Sequence, residues 1–328
     1  AQPVRCGRRQ PMSDLHLGVT PWRSDASGGA EALAAQGERA EALGFGSFWL
    51  PENHFALRGS LPQPLLCLAA VAARTRSLRL GTTSYLLPIR HPIQVAEEVA
   101  VLDRLSGGRV ILGIGRGYRS DLFSAFAVPS REKRDRFGAT VDAMVRAWRG
   151  EPVAFDGEGG PPVHLSPLPV QQPHPPLWVA AFGPKAVEQA GRLGLPYLAS
   201  PIEPFALLVE NYHRHRTVSD EARRACVPVM RTVFVANGEG PLRRVREALA
   251  GQMASLASAR PPALRRAAAE DVSRVALVGS RAEVSDAIAE LREALGLTHL
   301  IARAGVPGAE AGEVEASLEA LAELGAAL

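Results

Sequence analysis

Residues 81–118 read GTTSYLLPIRHPIQVAEEVAVLDRLSGGRVILGIGRGY, and this stretch decides the fold. A β-rich run over Leu78–Ser84 leads into it, an amphipathic helix is predicted over Pro92–Leu105, and a second apolar run covers Val110–Ile114. These form one strand–helix–strand unit, because Gly107-Gly108 ends the helix between the two strands. Hydroxyl, glycine and arginine residues follow the strands. The carboxyl ends of strands are where an α/β barrel keeps its active site.

The same alternation of strands and helices continues along the chain on both sides of this stretch. Eight strands are predicted, at Leu15–Thr20, Phe45–Leu50, Leu78–Ser84, Val110–Ile114, Leu177–Ala181, Pro196–Ser200, Val227–Val235 and Thr298–Ala302. The count of eight, with polar residues after several strands, favours a single α/β domain over residues 13–328, a (β/α)₈ TIM barrel. An open doubly wound sheet is the alternative, because alternation alone does not separate the two.

Three segments depart from the regular alternation. Asp121–Pro129 is predicted to lie in a long loop. Residues 150–176 are rich in Gly and Pro and form an excursion before strand 5, with strand-like pieces at Val153–Phe155 and Val163–Leu165. Pro241–Asp271 is rich in Ala and Arg and is expected to be an irregular helical insertion before the last barrel unit.

Composition excludes several classes of protein. The chain of 328 residues is 46% hydrophobic and 22% charged, as in an ordinary globular protein, and no apolar run approaches the roughly 20 residues that cross a bilayer. The 37 basic and 34 acidic residues are scattered, so nucleic-acid binding is not expected. Three widely spaced cysteines indicate a reducing compartment, and we expect a cytoplasmic protein. Residues 1–12 are expected to be a disordered N-terminal extension, with Met12 as the natural start.

Polar residues that can carry chemistry follow the second strand. Glu52, Asn53 and His54 supply a carboxylate, an amide and an imidazole, which can transfer protons or orient a substrate. A structural hydrogen bond from His54 is the alternative. A metal site is not expected, because no third ligand stands at metal-site spacing.

Two further clusters follow the third and fourth strands. The hydroxyls of residues 82–85 (TTSY) can hydrogen-bond a planar heterocycle, although Thr and Tyr are also simply common in strands. Residues 113–118 (GIGRGY) allow close backbone approach to a ligand, and Arg116 can bind a phosphate through its planar fork of donors. The spacing is not that of a dinucleotide-binding loop. A tight turn with a surface arginine is the alternative.

Two predicted helix starts can face an anion. Residues 181–185 (AFGPK) lie between strand 5 and its helix, and proline at a first helical position leaves free N–H groups ahead of the helix. Gly279-Ser280 precedes another helix in the same way. Each can equally be a well-formed helix start without a ligand.

Taken together, these residues resemble the bacterial luciferase-like flavin monooxygenase family. The matching segments are GFGSFWLPENHF (44–55), residues 81–118, PHPPLWVAAFGPKAVEQAG (173–191) and LVGSRAEVSDAIAELREALGLTHLIA (277–302). The resemblance implies a (β/α)₈ barrel and reduced FMN as cosubstrate. It also implies the transfer of one oxygen atom of O₂ to a small organic substrate.

The resemblance also assigns site residues. Glu52 and His54 match the family's Glu-His-His motif beside the flavin, with Asn53 in the middle, and these three are the catalytic candidates. Thr83-Ser84 matches a non-prolyl cis peptide against the flavin ring, and Arg116 matches a phosphate-binding arginine. The cofactor-binding candidates are Thr83, Ser84, Glu97, Gly115, Arg116, Gly117, Tyr118, Arg136, Phe182 and Gly183. Arg136 is included because Arg136-Phe137 matches an Arg-aromatic pair, and of Glu97 and Glu98 one is expected to point inward.

Two departures from the family pattern bear on the chemistry. Asn53 replaces the family's middle His, and Gly115 replaces the reactive thiol of true luciferases. Light emission from a long-chain aldehyde is therefore not expected, and the general base is left open. The resemblance further implies a flavin reductase as partner and a homodimer. The alternatives are a deazaflavin-dependent hydride-transfer enzyme on the same barrel, which Glu52 disfavours, and a non-catalytic flavin-binding relative.

Overall fold

The computed structural model describes residues 15–23, 29–55, 60–154, 161–257 and 271–327. The chain divides into two compact units, which we call the central unit and the terminal unit. The central unit comprises Asp25–Glu38 and Leu50–Ala180, and the terminal unit comprises Ala1–Ser24, Arg39–Trp49 and Ala181–Leu328. Helix α1 (Gly29–Ala42) and strand β2 (Ser47–Leu50) contribute residues to both.

Strands of the central unit are parallel and buried. They are β3 (Arg79–Thr82), β4 (Tyr85–Leu86), β5 (Val110–Gly115) and β6 (Leu177–Ala180). β5 pairs with β3 through Gly81 and Ile111, with β4 through Leu86 and Gly115, and with β6 along its length. Every residue of β5 is buried, as expected for a parallel strand covered on both faces.

Four helices of the central unit accompany these strands, and one of them is capped at both ends by its own sequence. They are α2 (Pro64–Arg74), α3 (Pro92–Ser106), α4 (Ser120–Ala125) and α5 (Lys133–Trp148). At the start of α3, the His91 ring accepts a hydrogen bond from the Ile93 N–H at 3.3 Å. At its end, Gly107 takes the left-handed conformation that terminates a helix, with φ +68°. These caps fix the length of the helix between β4 and β5.

The excursion before β6 is tied to α3 by a buried carboxylate. Asp103 is fully buried and accepts hydrogen bonds from the backbone N–H of Gln171 at 2.9 Å and from its side-chain amide at 2.7 Å. The same amide donates to the Val110 carbonyl. Val153 and Val163 form an isolated antiparallel bridge. The Gly- and Pro-rich segment is therefore anchored without a regular strand of its own in its described part.

The terminal unit contains the remaining strands, again all parallel. They are β1 (His16–Val19), β7 (Tyr197–Leu198), β8 (Pro228–Val235), β9 (Ala276–Gly279) and β10 (His299–Arg303), and the order with the first residues of β2 is β2–β1–β10–β8–β9. Its helices are α6 (Pro184–Arg192), α7 (Phe205–Arg216), α8 (Asp220–Arg224), α9 (Glu239–Ala257), α10 (Arg281–Leu295) and α11 (Ala311–Ala327).

Each of the eight predicted strands is present, with ends shifted by a few residues, but one predicted loop contains a helix, and two strands, β4 and β9, were not predicted. Asp121–Pro129 was predicted as loop, whereas α4 occupies its first part. Strand β9 was not predicted, although Val275 and the residues after it are buried. Part of Pro241–Asp271 is helical, as α9, and residues 258–270 lie outside the described residues. The predicted extension over residues 1–12 also lies outside them.

No helix among the described residues is long and apolar enough to cross a membrane.

Candidate active site

Glu52, two residues after β2, is a buried carboxylate with three partners. Its side chain has no exposed surface. One oxygen accepts a hydrogen bond from the Arg90 guanidinium at 2.8 Å and lies 2.6 Å from Nε2 of His54. The other oxygen accepts from the backbone N–H of Leu86 at 2.9 Å. A buried carboxylate is stable only when an opposite charge and hydrogen-bond donors surround it. Glu52 and its three partners therefore hold one another in position.

His54 is consequently held in one orientation. Its ring is buried, and the Nε2–H group donates a hydrogen bond to the Glu52 carboxylate. The backbone carbonyl of His54 accepts a hydrogen bond from Arg119 at 3.2 Å. The edge of the ring also meets Phe126, with ring centroids 5.2 Å apart. Glu52, in the segment after β2, and Arg119 and Phe126, at the two ends of α4, therefore all contact this histidine.

Asn53 forms hydrogen bonds with Leu61 at the other end of the loop that follows β2. Its backbone pairs with Leu61 in both directions, at 3.1 and 3.2 Å, and its side-chain oxygen accepts from the same Leu61 N–H at 2.6 Å. These contacts do not use the N–H₂ group of the Asn53 side chain, which is the donor that Asn53 can offer a ligand. A catalytic role for Asn53 stays a prediction.

Arg90 and Tyr85 support the carboxylate from the side of β4. The Arg90 guanidinium lies over the Tyr85 ring, 3.9 Å from its centroid, and also donates to the Leu86 carbonyl. The Tyr85 hydroxyl donates to Glu98 at 2.5 Å. Burial raises the pKa of Tyr85 far above its ordinary value, so this hydroxyl stays a donor. Arg90 was not predicted as a site residue, because it stands 38 positions along the chain from the carboxylate that it neutralises.

The Thr83–Ser84 peptide bond is cis, as the resemblance implied. The Thr83 N–H donates to the Leu50 carbonyl at 2.8 Å, which joins this turn to the end of β2. Ser84 lies against Gly115 at the end of β5, and a Cβ on Gly115 would come within 2.1 Å of the Ser84 hydroxyl. Ser84 can occupy this position only because Gly115 has no side chain. A cysteine at position 115 would collide with Ser84, which is a physical reason for the missing thiol.

Arg116 follows β5 and is half-buried beside another positive charge. Burial lowers the pKa of Arg116, and the nearby guanidinium of Arg134 lowers it further. Both effects disfavour the charged form of Arg116, and an anion between the two guanidinium groups would relieve both. Arg134 lies exposed on α5 and was not among the cofactor-binding candidates predicted from the sequence.

Other predicted residues of this loop and of the flanking helices have separate surroundings. Gly117 has φ +71°, and Tyr118 is largely exposed. On α5, Arg136 donates to the Pro88 carbonyl at 3.2 Å and lies 3.8 Å from Glu132. Glu97 is exposed on α3. The inward hydrogen bond expected of one residue of the Glu97-Glu98 pair is made by Glu98, to Tyr85. Cofactor contacts by Arg136 and Glu97 stay predictions.

Phe182 and Gly183 belong to the terminal unit, at the start of α6. Gly183 has φ +84° and precedes Pro184, the first residue of the helix. Its carbonyl accepts from the N–H of Ala186 at 3.0 Å. At Gly279-Ser280 the structure shows the second alternative, a well-formed helix start, because Ser280 and Glu283 form a capping box and the Glu283 carboxylate accepts from the Ser280 N–H.

No group of three or more His, Cys, Asp or Glu side chains in the described ranges is arranged to hold a metal ion.

The chain belongs to the luciferase-like monooxygenase family, whose profile matches residues 16–299. Among curated relatives, the oxygenase component of flavin-dependent trigonelline monooxygenase from Acinetobacter baylyi is 30% identical over 209 residues, 61% of this chain and 58% of that protein. The alkanal monooxygenase alpha chain of the Kryptophanaron alfredi symbiont is 32% identical over 170 residues, 51% of this chain and 48% of that one. These matches span about half the length of the curated relatives.

Solved structures of similar fold extend over nearly the whole chain. Monooxygenase RslO1 from Streptomyces bottropensis is 29% identical, with a TM-score of 0.76, and the match covers 94% of this chain and 98% of that one. Two structures at 19% identity show the fold alone: the oxygenating constituent of 3,6-diketocamphane monooxygenase from Pseudomonas putida with FMN, and an F420-dependent secondary alcohol dehydrogenase. Each has a TM-score of 0.76 and covers 95% of this chain and 98% of that one. The α/β class and the luciferase-like TIM-barrel fold expected from the sequence are confirmed.

Proposed function

We propose that this chain is the oxygenase of a two-component flavin-dependent monooxygenase that uses reduced FMN and O₂ to oxygenate a small organic substrate. The observation that carries the proposal is the half-buried Arg116 next to Arg134, a pair of positive charges that suits a phosphate. Leu86 connects the two arginines to the catalytic candidates. It is the strand partner of Gly115, the residue before Arg116, and its N–H donates to the Glu52 carboxylate.

The residues of the central unit fit FMN in two respects. Two guanidinium groups offer the bidentate donors that a terminal phosphate accepts. Ser84 packs against Gly115, the residue that precedes Arg116, and we propose that the flavin ring lies beside these two small residues. In the central unit, the residues assigned to FMN are Thr83, Ser84, Glu97, Gly115, Arg116, Gly117, Tyr118 and Arg136. The assignment of Phe182 and Gly183, which belong to the terminal unit, stays a prediction from the sequence.

Reduced FMN, when bound, supplies the two electrons with which one atom of O₂ enters the substrate and the other leaves as water. The chain supplies orientation and proton handling. Because Glu52 holds the Nε2 proton of His54, the neutral ring carries its lone pair on Nδ1, and we assign that atom as the proton acceptor. The amide of Asn53 is assigned to hold a polar atom of the substrate.

A separate flavin reductase is the proposed partner, and the support is the relative described as an oxygenase component. We also propose a homodimer formed by α2 and α3, because Leu66, Val101 and Leu105 are exposed apolar side chains on these two helices. A cytoplasmic location and a single domain over residues 13–328 stay proposals.

The experiment that tests the proposal is a comparison of FMN and F420. Flavin fluorescence or absorbance, followed as the purified chain is added, gives the dissociation constant of each. We expect tighter binding of FMN, and oxygen consumption in the presence of a flavin reductase that rises when a substrate is added. Tighter binding of F420 would instead support the hydride-transfer alternative. FMN binding without substrate-dependent oxygen consumption across a substrate panel would support a non-catalytic flavin-binding relative.

A further inference from the structure

Phe55 and Phe126 form an exposed aromatic pair beside His54. Their ring centroids are 6.1 Å apart, and each ring also meets the His54 ring, at 5.7 Å for Phe55 and 5.2 Å for Phe126. Phe55 is 59% exposed and Phe126 is 39% exposed, whereas His54 behind them is buried. A phenylalanine that faces solvent gives up burial that it would have in a core, so an exposed pair against a candidate catalytic histidine calls for an explanation.

The backbone is unusual at Phe55 and at the residue that directly follows Phe126. In the described ranges, the non-glycine residues with positive φ are Phe55, at 60°, and Ala127, at 53°. One of them is a member of the pair, and the other directly follows the second member. Positive φ is a genuine outlier for a bulky residue such as Phe55. Conformations of this kind persist where the surroundings require them, and they cluster at active sites and ligand clamps.

The two elements that carry the pair are joined to each other. Arg119, at the start of α4, donates to the His54 carbonyl at 3.2 Å and pairs with Asp121 in the first turn of that helix. Phe126 stands at the opposite end of the same short helix, where its N–H donates to the Leu122 carbonyl. The aromatic pair is therefore held at the histidine by the fold of the central unit.

We propose that Phe55 and Phe126 form a binding site for an aromatic ring of the organic substrate, next to His54. That the bound aromatic compound is then oxygenated rests on the proposed function. Offset or edge-on contacts with two phenylalanine rings favour a planar aromatic ligand over a saturated one of the same size, because the ring faces and edges carry opposite partial charges. The oxygenated substrate is accordingly an aromatic compound and not a linear alkanal.

A pair of matched probes tests the proposal. 2-Naphthol and its fully saturated analogue decahydro-2-naphthol share one carbon skeleton and one hydroxyl. Their binding to the full chain, without flavin, is measured by equilibrium dialysis or saturation-transfer NMR. We expect 2-naphthol to bind several-fold more tightly than the saturated probe. F55A and F126A should each weaken 2-naphthol binding by about tenfold, and V170A, which shortens an exposed apolar side chain elsewhere in the central unit, should not.

Thermal melting of each variant checks that it is folded, and the two substitutions lie on different elements, so a folding defect in one leaves the other informative. Equal binding of the two probes, undetectable binding of 2-naphthol, or unchanged binding in a folded F55A or F126A protein would overturn the aromatic site. Because the probes are measured without flavin, this failure is separate from that of the proposed function. The latter fails if the wild-type chain does not bind FMN.

Discussion

Among the residues of the candidate site, Glu52 holds three other groups in place. Its carboxylate holds the His54 ring, the Arg90 guanidinium and the N–H of Leu86, and its side chain is fully buried. Removing one partner of a buried ion pair leaves the other charge uncompensated, which costs more than the pair itself contributes. Glu52 is thus as important for stability as for the proposed proton transfer.

E52Q is expected to lower the free energy of unfolding by about 2–3 kcal/mol, somewhat less than the usual cost of breaking a buried pair, because Arg90 keeps its bond to the Leu86 carbonyl. Urea denaturation followed by circular dichroism measures the change. E38Q is the matched control, because Glu38 and Arg74 form an exposed pair of the same unit and exposed pairs contribute about 0–1 kcal/mol. Equal effects of E52Q and E38Q would contradict this account.

Gly115 is required at its position because Ser84 occupies the space that a side chain would need. G115A should destabilise the protein by about 1–3 kcal/mol, the usual cost of overpacking, since its Cβ would meet the Ser84 hydroxyl at 2.1 Å and Ser84 Cβ at 3.0 Å. The S84G/G115A double variant should recover part of the loss. G251A on α9 is the control, because a Cβ there meets nothing within 4 Å. If G115A melts at the wild-type temperature, the contact with Ser84 is not the reason for the glycine.

Just beyond the end of helix α4 lies a residue whose substitution is expected to stabilise the protein. The N–H of Val128 donates to the Phe123 carbonyl at 2.9 Å, and Ala127 between them has φ +53°. This is the left-handed helix end that glycine normally forms, and a side chain there costs about 1–2 kcal/mol. A127G should therefore stabilise the chain, by up to about 1 kcal/mol once the greater freedom of glycine in the unfolded chain is deducted.

Differential scanning calorimetry of A127G and of wild type measures this effect. A127V, with a branched side chain at the same φ, should shift the melting temperature in the opposite direction. A lower melting temperature for A127G would show that Ala127 contributes more than a helix end.

Long, regular elements were predictable, and short ones were not. Helix α3 was found within one residue, because proline opens it and two glycines close it. Helix α4 has six residues and β9 has four, too few to show a hydrophobic period against the flanking sequence. β9 also follows an Ala- and Arg-rich segment that hides its start. Contacts with the rest of the fold decide such elements, and the sequence does not display those contacts.

The candidate site was predictable only where its residues are neighbours in the chain. Glu52 and His54 stand two positions apart and directly after a strand, so their meeting could be expected. Arg90 and Arg134 could not be found in this way. Arg90 is far from Glu52 in the sequence, and Arg134 lies on α5, whereas Arg116 lies in the loop after β5. Which arginine of α5 lies near Arg116, Arg134 or Arg136, depends on how the helix is rotated about its axis. The local sequence pattern does not determine that rotation.

At the scale of the whole molecule, two buried histidines make stability depend on pH. Burial lowers the pKa of His174 in the central unit and of His215 in the terminal unit. In the unfolded chain they take up protons as the pH falls below about 6.5, while in the folded chain they stay neutral to lower pH. Stability is therefore full above about pH 6.5 and is lost as the pH falls through the interval down to the lowered pKa values.

H215Q should reduce the loss of unfolding free energy between about pH 7 and pH 5, by up to about 1.4 kcal/mol per pH unit within the interval. The glutamine amide can still donate to the Leu195 carbonyl, which His215 contacts at 2.8 Å. H213Q, at an exposed position of the same helix, is the control. Urea midpoints at several pH values give the slopes, and the same slope for H215Q and wild type would exclude His215 as a source.

The central claim is that Arg116 binds the phosphate of FMN, and a comparison of FMN with riboflavin, which lacks the phosphate, tests it most directly. R116A should raise the dissociation constant of FMN by about tenfold to a hundredfold, the worth of one or two charge-assisted hydrogen bonds, and leave that of riboflavin unchanged. R131A removes the same charge from a side chain that is 84% exposed, and it should change neither value. If R116A weakens both ligands equally, or neither, the phosphate does not lie at Arg116.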